Sequence, residues 1–288
     1  IHEAEMKDTV IAFIGGGNMA RSLLGGLIAG GSAPNAIWVA EPNADQREFL
    51  RSRFGVHTGA DNPDIAARAD VVVLAVKPQV LQGVARQIAP AIQARQPLVI
   101  SIAAGVREPD LRRWLGGGSP ALVRTMPNTP ALVGSAASAL FANAFVSEER
   151  RQQAESLLRA VGVTVWVEDE TLLDAVTALS GSGPAYFFLL MEALEQAGVA
   201  LGLDTDTARL LTLQTAFGAA KMALESVESP GILRARVTSP GGTTERAVAI
   251  LCEGGMEPLI ARALAAARHR SMELGELLGG QPCPRRYF

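Results

Sequence analysis

Residues Thr9 to Ile14 form a short β-branched and apolar run, and Gly15-Gly16-Gly17-Asn18-Met19-Ala20 follows at once, ahead of a helical pattern reaching Leu27 or Ile28. Strand, glycine turn and helix in that order constrain the first half of the chain more than any other feature. The spacing Gly15, Gly17, Ala20 matches G-x-G-x-x-A. In such a turn the first glycine makes the tight bend, the second admits a pyrophosphate, and the small third residue lets the helix pack on the strand. Any tight strand-to-helix turn favours glycine. The position directly after an N-terminal strand is what favours a dinucleotide loop.

Further strands follow the same plan. Ile37 to Ala40 ends at Glu41, Pro42 and Asn43, where folds of this kind discriminate between a ribose hydroxyl and a ribose phosphate. Glu41 leans towards NAD, because a carboxylate accepts from ribose hydroxyls and repels a 2′-phosphate; Asn43 and Arg47 soften that bias. A solvated loop acid is the plainer alternative for Glu41. Val71 to Val76 and Leu98 to Ala103 are continuous apolar runs of the buried parallel type. Ligands of open parallel sheets collect at the carboxyl ends of strands, so Ala75-Val76-Lys77-Pro78 and Ala103-Ala104-Gly105 are expected to face a cofactor. Lys77 is equally compatible with a surface position. Leu122 to Arg124 leads into Thr125-Met126-Pro127-Asn128-Thr129-Pro130, whose prolines fix an extended turn. There Asn128 either presents its amide to a ligand or is simply a turn residue.

After a last strand at Val163 to Val167 the pattern turns helical as far as Leu278, over Leu172–Leu179, Ala185–Leu201, Thr207–Ser226, Thr243–Cys252 and Pro258–Leu278. The expected fold is an α/β domain with a doubly wound, mostly parallel sheet over 6–168, an all-α domain over 169–280, and a mobile tail over 281–288. Ala185 to Met191 is apolar on every face, more than a two-layer helical domain covers alone, so an intertwined dimer or a fully buried central helix is required. Before it, Ser180-Gly181-Ser182-Gly183-Pro184 opens the helix with small residues and a proline.

A net charge of −3 over 288 residues, without a long basic run, leaves no electrostatic footprint for nucleic acid or an anionic membrane. Apolar stretches are interrupted well short of the roughly 20 residues that a membrane span needs. Ile1 to Glu5 lack the features of a signal peptide and are set aside, with Met6 as a natural start. Cys252 and Cys283 are too few and too isolated for a disulfide framework or a metal site, and fit a reducing cytoplasm as buried or idle thiols. His2, His57 and His269 form no nucleophile or metal pattern, and no metal is expected. With no nucleophile elbow, metalloprotease motif or phosphate-binding lysine loop, hydride transfer by a nicotinamide cofactor remains.

Within the helical half, Ser239-Pro240-Gly241-Gly242-Thr243-Thr244 opens a helix. Its glycines let the backbone bend, and the first amides of the helix have no partner within it, which suits a carboxylate or phosphate. A structural reading competes: Gly242 caps the helix and Glu245 reaches back as in a capping box.

Together, Phe13-Ile14-Gly15-Gly16-Gly17-Asn18-Met19-Ala20, Ala75-Val76-Lys77-Pro78, Ser101-Ile102-Ala103-Ala104-Gly105, Met126-Pro127-Asn128-Thr129-Pro130, Ser180-Gly181-Ser182-Gly183-Pro184-Ala185 and Ser239-Pro240-Gly241-Gly242-Thr243-Thr244 make the chain closely resemble the pyrroline-5-carboxylate reductases. The resemblance runs in family order from Thr9 to Leu278. It implies a Rossmann domain, an interlocking helical dimer domain, homodimers assembled into a decameric ring, and reduction of 1-pyrroline-5-carboxylate to L-proline with NADP(H), or NAD(H) as the alternative. Position by position, it implies a pyrophosphate on Gly15, Gly17, Asn18, Met19 and Ala20. The nicotinamide falls near Ala75, Val76, Lys77, Pro78, Ala103, Ala104 and Asn128, and a ribose contact falls on Asn62, beside the Glu41 and Asn43 expected at the ribose from their place after the second strand. Ser239, Gly241, Gly242, Thr243 and Thr244 would hold the substrate, its carboxylate on the amides of Gly241 to Thr243, with the catalytic Thr244 facing the imine nitrogen.

Thr244 is too weak an acid to donate a proton unaided, so its expected contribution is positioning and proton relay. Two departures from the family stand out. Gly16 replaces a common alanine, which is expected to change little, and Glu41-Pro42-Asn43 lacks the Asn-Arg or Ser-rich pattern of many NADPH-preferring relatives. The alternatives on the same plan are another imine or β-hydroxyacid oxidoreductase, or a non-catalytic NAD(P)-binding oligomer.

Overall fold

A computed structural model of the protein describes residues 9–280. The segments set aside above, Ile1 to Glu5 and 281–288 with Cys283, lie outside them. The first part runs β1 (Ile11–Ile14), α1 (Asn18–Ala29), β2 (Ile37–Ala40), α2 (Ala44–Phe54), β3 (His57–Gly59), α3 (Asn62–Ala66), β4 (Val71–Leu74), α4 (Pro78–Arg95), β5 (Leu98–Ser101), α5 (Glu108–Trp114), β6 (Leu122–Met126), β7 (Ala136–Ala142), α6 (Glu148–Arg159) and β8 (Gly162–Trp166). Helices α7 (Leu172–Val176), α8 (Gly183–Ala200), α9 (Thr205–Glu225), α10 (Pro230–Arg236), α11 (Thr243–Glu253) and α12 (Met256–Gly279) follow.

The strands form one sheet in the order β3-β2-β1-β4-β5-β6-β7-β8, parallel except where β7 runs antiparallel to β6. The mostly parallel, doubly wound sheet expected from the apolar runs is therefore present. Two strands, β3 and β7, have no counterpart in the sequence reading: His57-Thr58-Gly59 is too short to show a period, and the alanine-rich β7 lacks β-branched residues. Alternation along the central strands divides the core. Ile11, Phe13, Val71, Val73 and Ile100 pack on one face with α1 and α6, while Ala12, Ile14, Val72, Leu74 and Val99 pack on the other with α4 and α5. Burial on both faces explains why these strands read as continuous apolar runs.

The chain divides into two compact units, one comprising residues to Ser182 together with those from Ala267 onward, the other Gly183–Ala266. The strands end at Trp166, close to the expected boundary at Glu168, but α7 stays with the first unit through an ionic network. Asp174 pairs with Arg107 at 2.7 Å and accepts the Ser271 hydroxyl at 2.7 Å, while Arg124 pairs with Glu170 at 2.6 Å. Between α7 and α8, Thr177–Gly181 form a π-helical turn, so the small-residue segment is a distortion of a continuing helix.

In the second unit, Ala208 is the one buried apolar side chain among the described residues, while Phe187, at 63% exposure, Phe188, Leu210 and Phe217 stand open. A helix apolar on every face and left exposed to this extent marks a surface meant for another chain. Among the described residues no helix is long and apolar enough to cross a membrane.

Candidate functional site

In the first unit the expected cofactor residues gather at one edge of the sheet, because β1, β2, β4, β5 and β6 are parallel and end there together. Gly15 leaves β1 with φ +104°, and a Cβ on it would stand 2.7 Å from the Ala75 carbonyl oxygen, so only glycine serves. Gly17 precedes α1 with open space where a side chain would project. The Gly15 amide donates to the Ala40 carbonyl at 2.8 Å and the Gly16 amide to Glu41 Oε2 at 3.0 Å. The amides of Gly17, Asn18 and Met19 have no acceptor among the described residues, and no acidic residue occupies the first turn of α1. Free amides, an unopposed helix dipole and a backbone with no side chain in the way together suit a pyrophosphate. Ala20 is buried beneath them.

Around this turn the structure corrects two expectations. Gly16 is not interchangeable with alanine at no cost, because an added methyl would stand 2.6 Å from Cδ1 of the fully buried Leu50 and 3.3 Å from Glu41 Oε2. Glu41 is not a solvated loop acid, being 9% exposed. Its Oε1 also accepts the Asn43 amide at 3.0 Å, so both carboxylate oxygens bond to backbone. Asn43 caps α2 by accepting the Gln46 amide at 2.9 Å.

Ala75 and Val76 are half-buried, Pro78 opens α4, and Lys77 is exposed with no bonding partner for its ammonium among the described residues. Ala103 is buried and Ala104 half-buried after β5. Asn62 is half-buried at the start of α3 and donates to Gln87 at 3.2 Å. Asn128 is buried, and its amide is spent within the protein: Nδ2 donates to the Ser180 carbonyl at 3.0 Å and Oδ1 accepts the Ala137 amide at 3.0 Å.

Sequence reasoning missed the ionic network. Arg124, 6% exposed, has its guanidinium lowered by burial and supported by the opposing charge of Glu170, and its Nε is left without a partner. The available signal was an arginine inside the apolar run Leu122–Met126.

The turn at 239–244 belongs to the second unit. Gly241 takes φ +71° and Gly242 precedes α11. The Gly241 amide donates to Glu245 Oε2 at 2.7 Å, while the Gly242 amide folds back onto the Ser239 carbonyl at 3.0 Å. The expected cap is therefore present one residue earlier than a capping box would place it. Of the three amides assigned to a carboxylate, Gly242's is already engaged, Gly241's holds a carboxylate of the chain itself, and Thr243's is open. Thr244 is half-buried. Cys252, on α11, is a free and exposed thiol, idle but not buried.

Residues 170–274 match the family model described as pyrroline-5-carboxylate reductase dimerisation, and residues 10–105 match that of NADP oxidoreductase, coenzyme F420-dependent. The chain is 53% identical over 274 residues to the pyrroline-5-carboxylate reductase of Pseudomonas aeruginosa, covering 95% of this chain and all of that one. Among solved structures, a pyrroline-5-carboxylate reductase from Coxiella burnetii is similar at a TM-score of 0.90 and 48% identity, over 93% of this chain and 99% of that one. The Plasmodium falciparum pyrroline carboxylate reductase with NADP bound is similar at a TM-score of 0.83 and 28% identity, over 94% of this chain and 99% of that one.

Proposed function

The chain belongs to the pyrroline-5-carboxylate reductase family, and from that premise we propose how its own residues reduce the C=N bond of 1-pyrroline-5-carboxylate to give L-proline with NADP(H). The observation that carries the reading is the Gly241 amide donating to a carboxylate, that of Glu245, at 2.7 Å. A backbone turn that already holds an internal carboxylate has the donor geometry for the carboxylate of a substrate.

Gly15, Gly17, Asn18, Met19 and Ala20 hold the cofactor pyrophosphate. Asn62, Glu41 and Asn43 border the adenosine end, and Ala75 to Pro78, Ala103, Ala104 and Asn128 border the nicotinamide. When bound, the reduced nicotinamide supplies a hydride. The carbon of a C=N bond accepts hydride best when its nitrogen is protonated, so the turn must favour the iminium form. The amides of Gly241 and Thr243 fix the ring by its carboxylate, displacing Glu245 from Gly241, while Gly242 and Ser239 hold the turn in shape through their own bond. Thr244 then holds the ring nitrogen by its hydroxyl, and the proton on that nitrogen is kept in the product amine. Since a threonine hydroxyl is a weak acid, its part is orientation, with water or the substrate's own proton completing the balance.

In this reading the unit up to Ser182 serves the cofactor and the unit Gly183–Ala266 carries the substrate turn and the dimer surface. The helical half matches a dimerisation model and the protein oligomerises. A second copy covers Phe187, Phe188, Leu210 and Phe217, and dimers assemble further into a decameric ring. An exposed free thiol suits a reducing cytoplasm. The test is oxidation of NADPH and of NADH followed with 1-pyrroline-5-carboxylate. Turnover with formation of proline is expected, and no turnover with either nucleotide would remove the reading.

A further inference from the structure

An acidic residue at the end of the second strand ordinarily accepts hydrogen bonds from the adenosine ribose and so selects the unphosphorylated cofactor. Glu41 stands at that place, but its carboxylate is turned inward. Oε2 takes the Gly16 amide and Oε1 the Asn43 amide, each at 3.0 Å, and the residue is 9% exposed. Two backbone dipoles thus offset the charge that would repel a 2′-phosphate, and they join the glycine turn after β1 to the loop after β2.

Beside that loop stands a half-buried arginine. Arg47 Nη1 donates to the carbonyls of Glu41 and Pro42 at 2.8 and 2.7 Å, while its Nε and Nη2 have no acceptor among the described residues. Arg21 braces the turn from the other side, donating Nε to the Gly16 carbonyl at 3.1 Å and Nη2 to Gln46 at 3.3 Å. Asp45 and Glu48 are the acids nearby on α2, and Glu48 is paired with Arg51 at 2.8 Å. A guanidinium fixed at one nitrogen with its other donors open suits a phosphate better than a ribose hydroxyl.

We propose that Glu41 is a positioning residue for the glycine turn and that Arg47 decides between phosphorylated and unphosphorylated cofactor. The proposal rests on the cofactor reading above and deepens it.

Equilibrium fluorescence titration of NADPH and NADH into the full-length oligomer separates the two roles without turnover. Glu41→Gln loses one of the two amide bonds, and is expected to weaken both nucleotides by a similar factor of about ten, leaving their affinity ratio within about twofold. Arg47→Ala is expected to lower the NADPH-to-NADH affinity ratio by at least about tenfold, the loss of a charge-assisted bond. Wild-type affinity for NADPH is also expected to fall more steeply with salt than that for NADH. If Glu41→Gln does not fold, Glu41→Asp keeps the charge on a shorter stem and is expected to weaken both nucleotides alike. A ratio shifted tenfold towards NADPH by either Glu41 variant, or left unchanged by Arg47→Ala, would overturn the proposal. Wild-type protein that binds neither nucleotide would overturn the cofactor reading and the proposal with it.

Discussion

Asn128 donates its Nδ2 to the carbonyl of Ser180 at 3.0 Å, tying the end of β6 to the π-helical turn before α8. With Oδ1 accepting the Ala137 amide, one side chain joins three segments. Asn128→Ala leaves a buried amide without its partner, at an expected cost of about 1–3 kcal/mol. Asn128→Asp places a carboxylate against the Ser180 carbonyl, so it is expected to cost more than alanine. Urea denaturation of both variants checks this, and an Asp variant as stable as wild type would mean that the bridge contributes nothing.

Arg124 and Glu170 pair at 2.6 Å with little exposure. Removing one charge strands the other, and Glu170→Ala is expected to cost about 3–5 kcal/mol. Glu170 also accepts the Glu108 amide at 2.5 Å, which adds to the loss. Replacing both partners, as Arg124→Met with Glu170→Leu, is expected to recover much of it. Thermal unfolding of the single and double variants decides whether the cost lies in the stranded charge.

Gly16→Ala drives a methyl against Leu50, and overpacking of this kind costs about 1–3 kcal/mol. Combining it with Leu50→Val makes room, so the pair is expected to be more stable than Gly16→Ala with intact Leu50, by a coupling measurable in a double-mutant cycle. Additive losses would show that the contact relaxes some other way.

Thr244→Ala is expected to lower kcat by about 10²-fold, while the dissociation constant for NADPH changes little. Gly241→Ala forces a side chain into the left-handed region at φ +71°, which costs about 1–2 kcal/mol and displaces the amide assigned to the carboxylate. A raised KM with a smaller change in kcat is expected there. Steady-state kinetics on 1-pyrroline-5-carboxylate distinguishes the two, and equal loss of kcat and cofactor affinity in Thr244→Ala would show its role misassigned.

Asp204 caps α9 by accepting the Thr207 amide at 3.0 Å, and hydrogen bonding from the Thr207 side chain first, then from that amide, holds its carboxyl below the ordinary value of 3.8. A depressed folded value means that the cap's contribution is complete above the unfolded value and is lost as pH falls through the folded one. Asp204→Asn keeps a capping oxygen that does not titrate in this range. Melting temperatures measured downward from neutral pH are expected to fall less steeply for Asp204→Asn below about pH 4.

Wherever a local rule decides an outcome, the sequence was legible. Gly15 was identifiable because the bend after β1 needs a positive φ, and the central strands because burial on both faces demands unbroken apolar runs. Helix α8 was recognisable as a surface needing cover because Phe187, Phe188 and Leu189 point to successive sides of one helix. Strand β7 was not legible, since Ala136-Ala137-Ser138-Ala139 has little intrinsic strand preference and is held by its pairing with β6 and β8.

For this protein the sequence by itself determined the alternating half, the helical half, and the two glycine turns that open α1 and α11, because each depends on residues adjacent in the chain. Which polar groups remain free to act was decided only by the tertiary structure. Glu41 meets Gly16 across 25 residues, Arg124 meets Glu170 across 46, and Asn128 meets Ser180 across 52. A buried polar atom must find a partner wherever the fold brings one, and no periodicity along the chain records which one that will be.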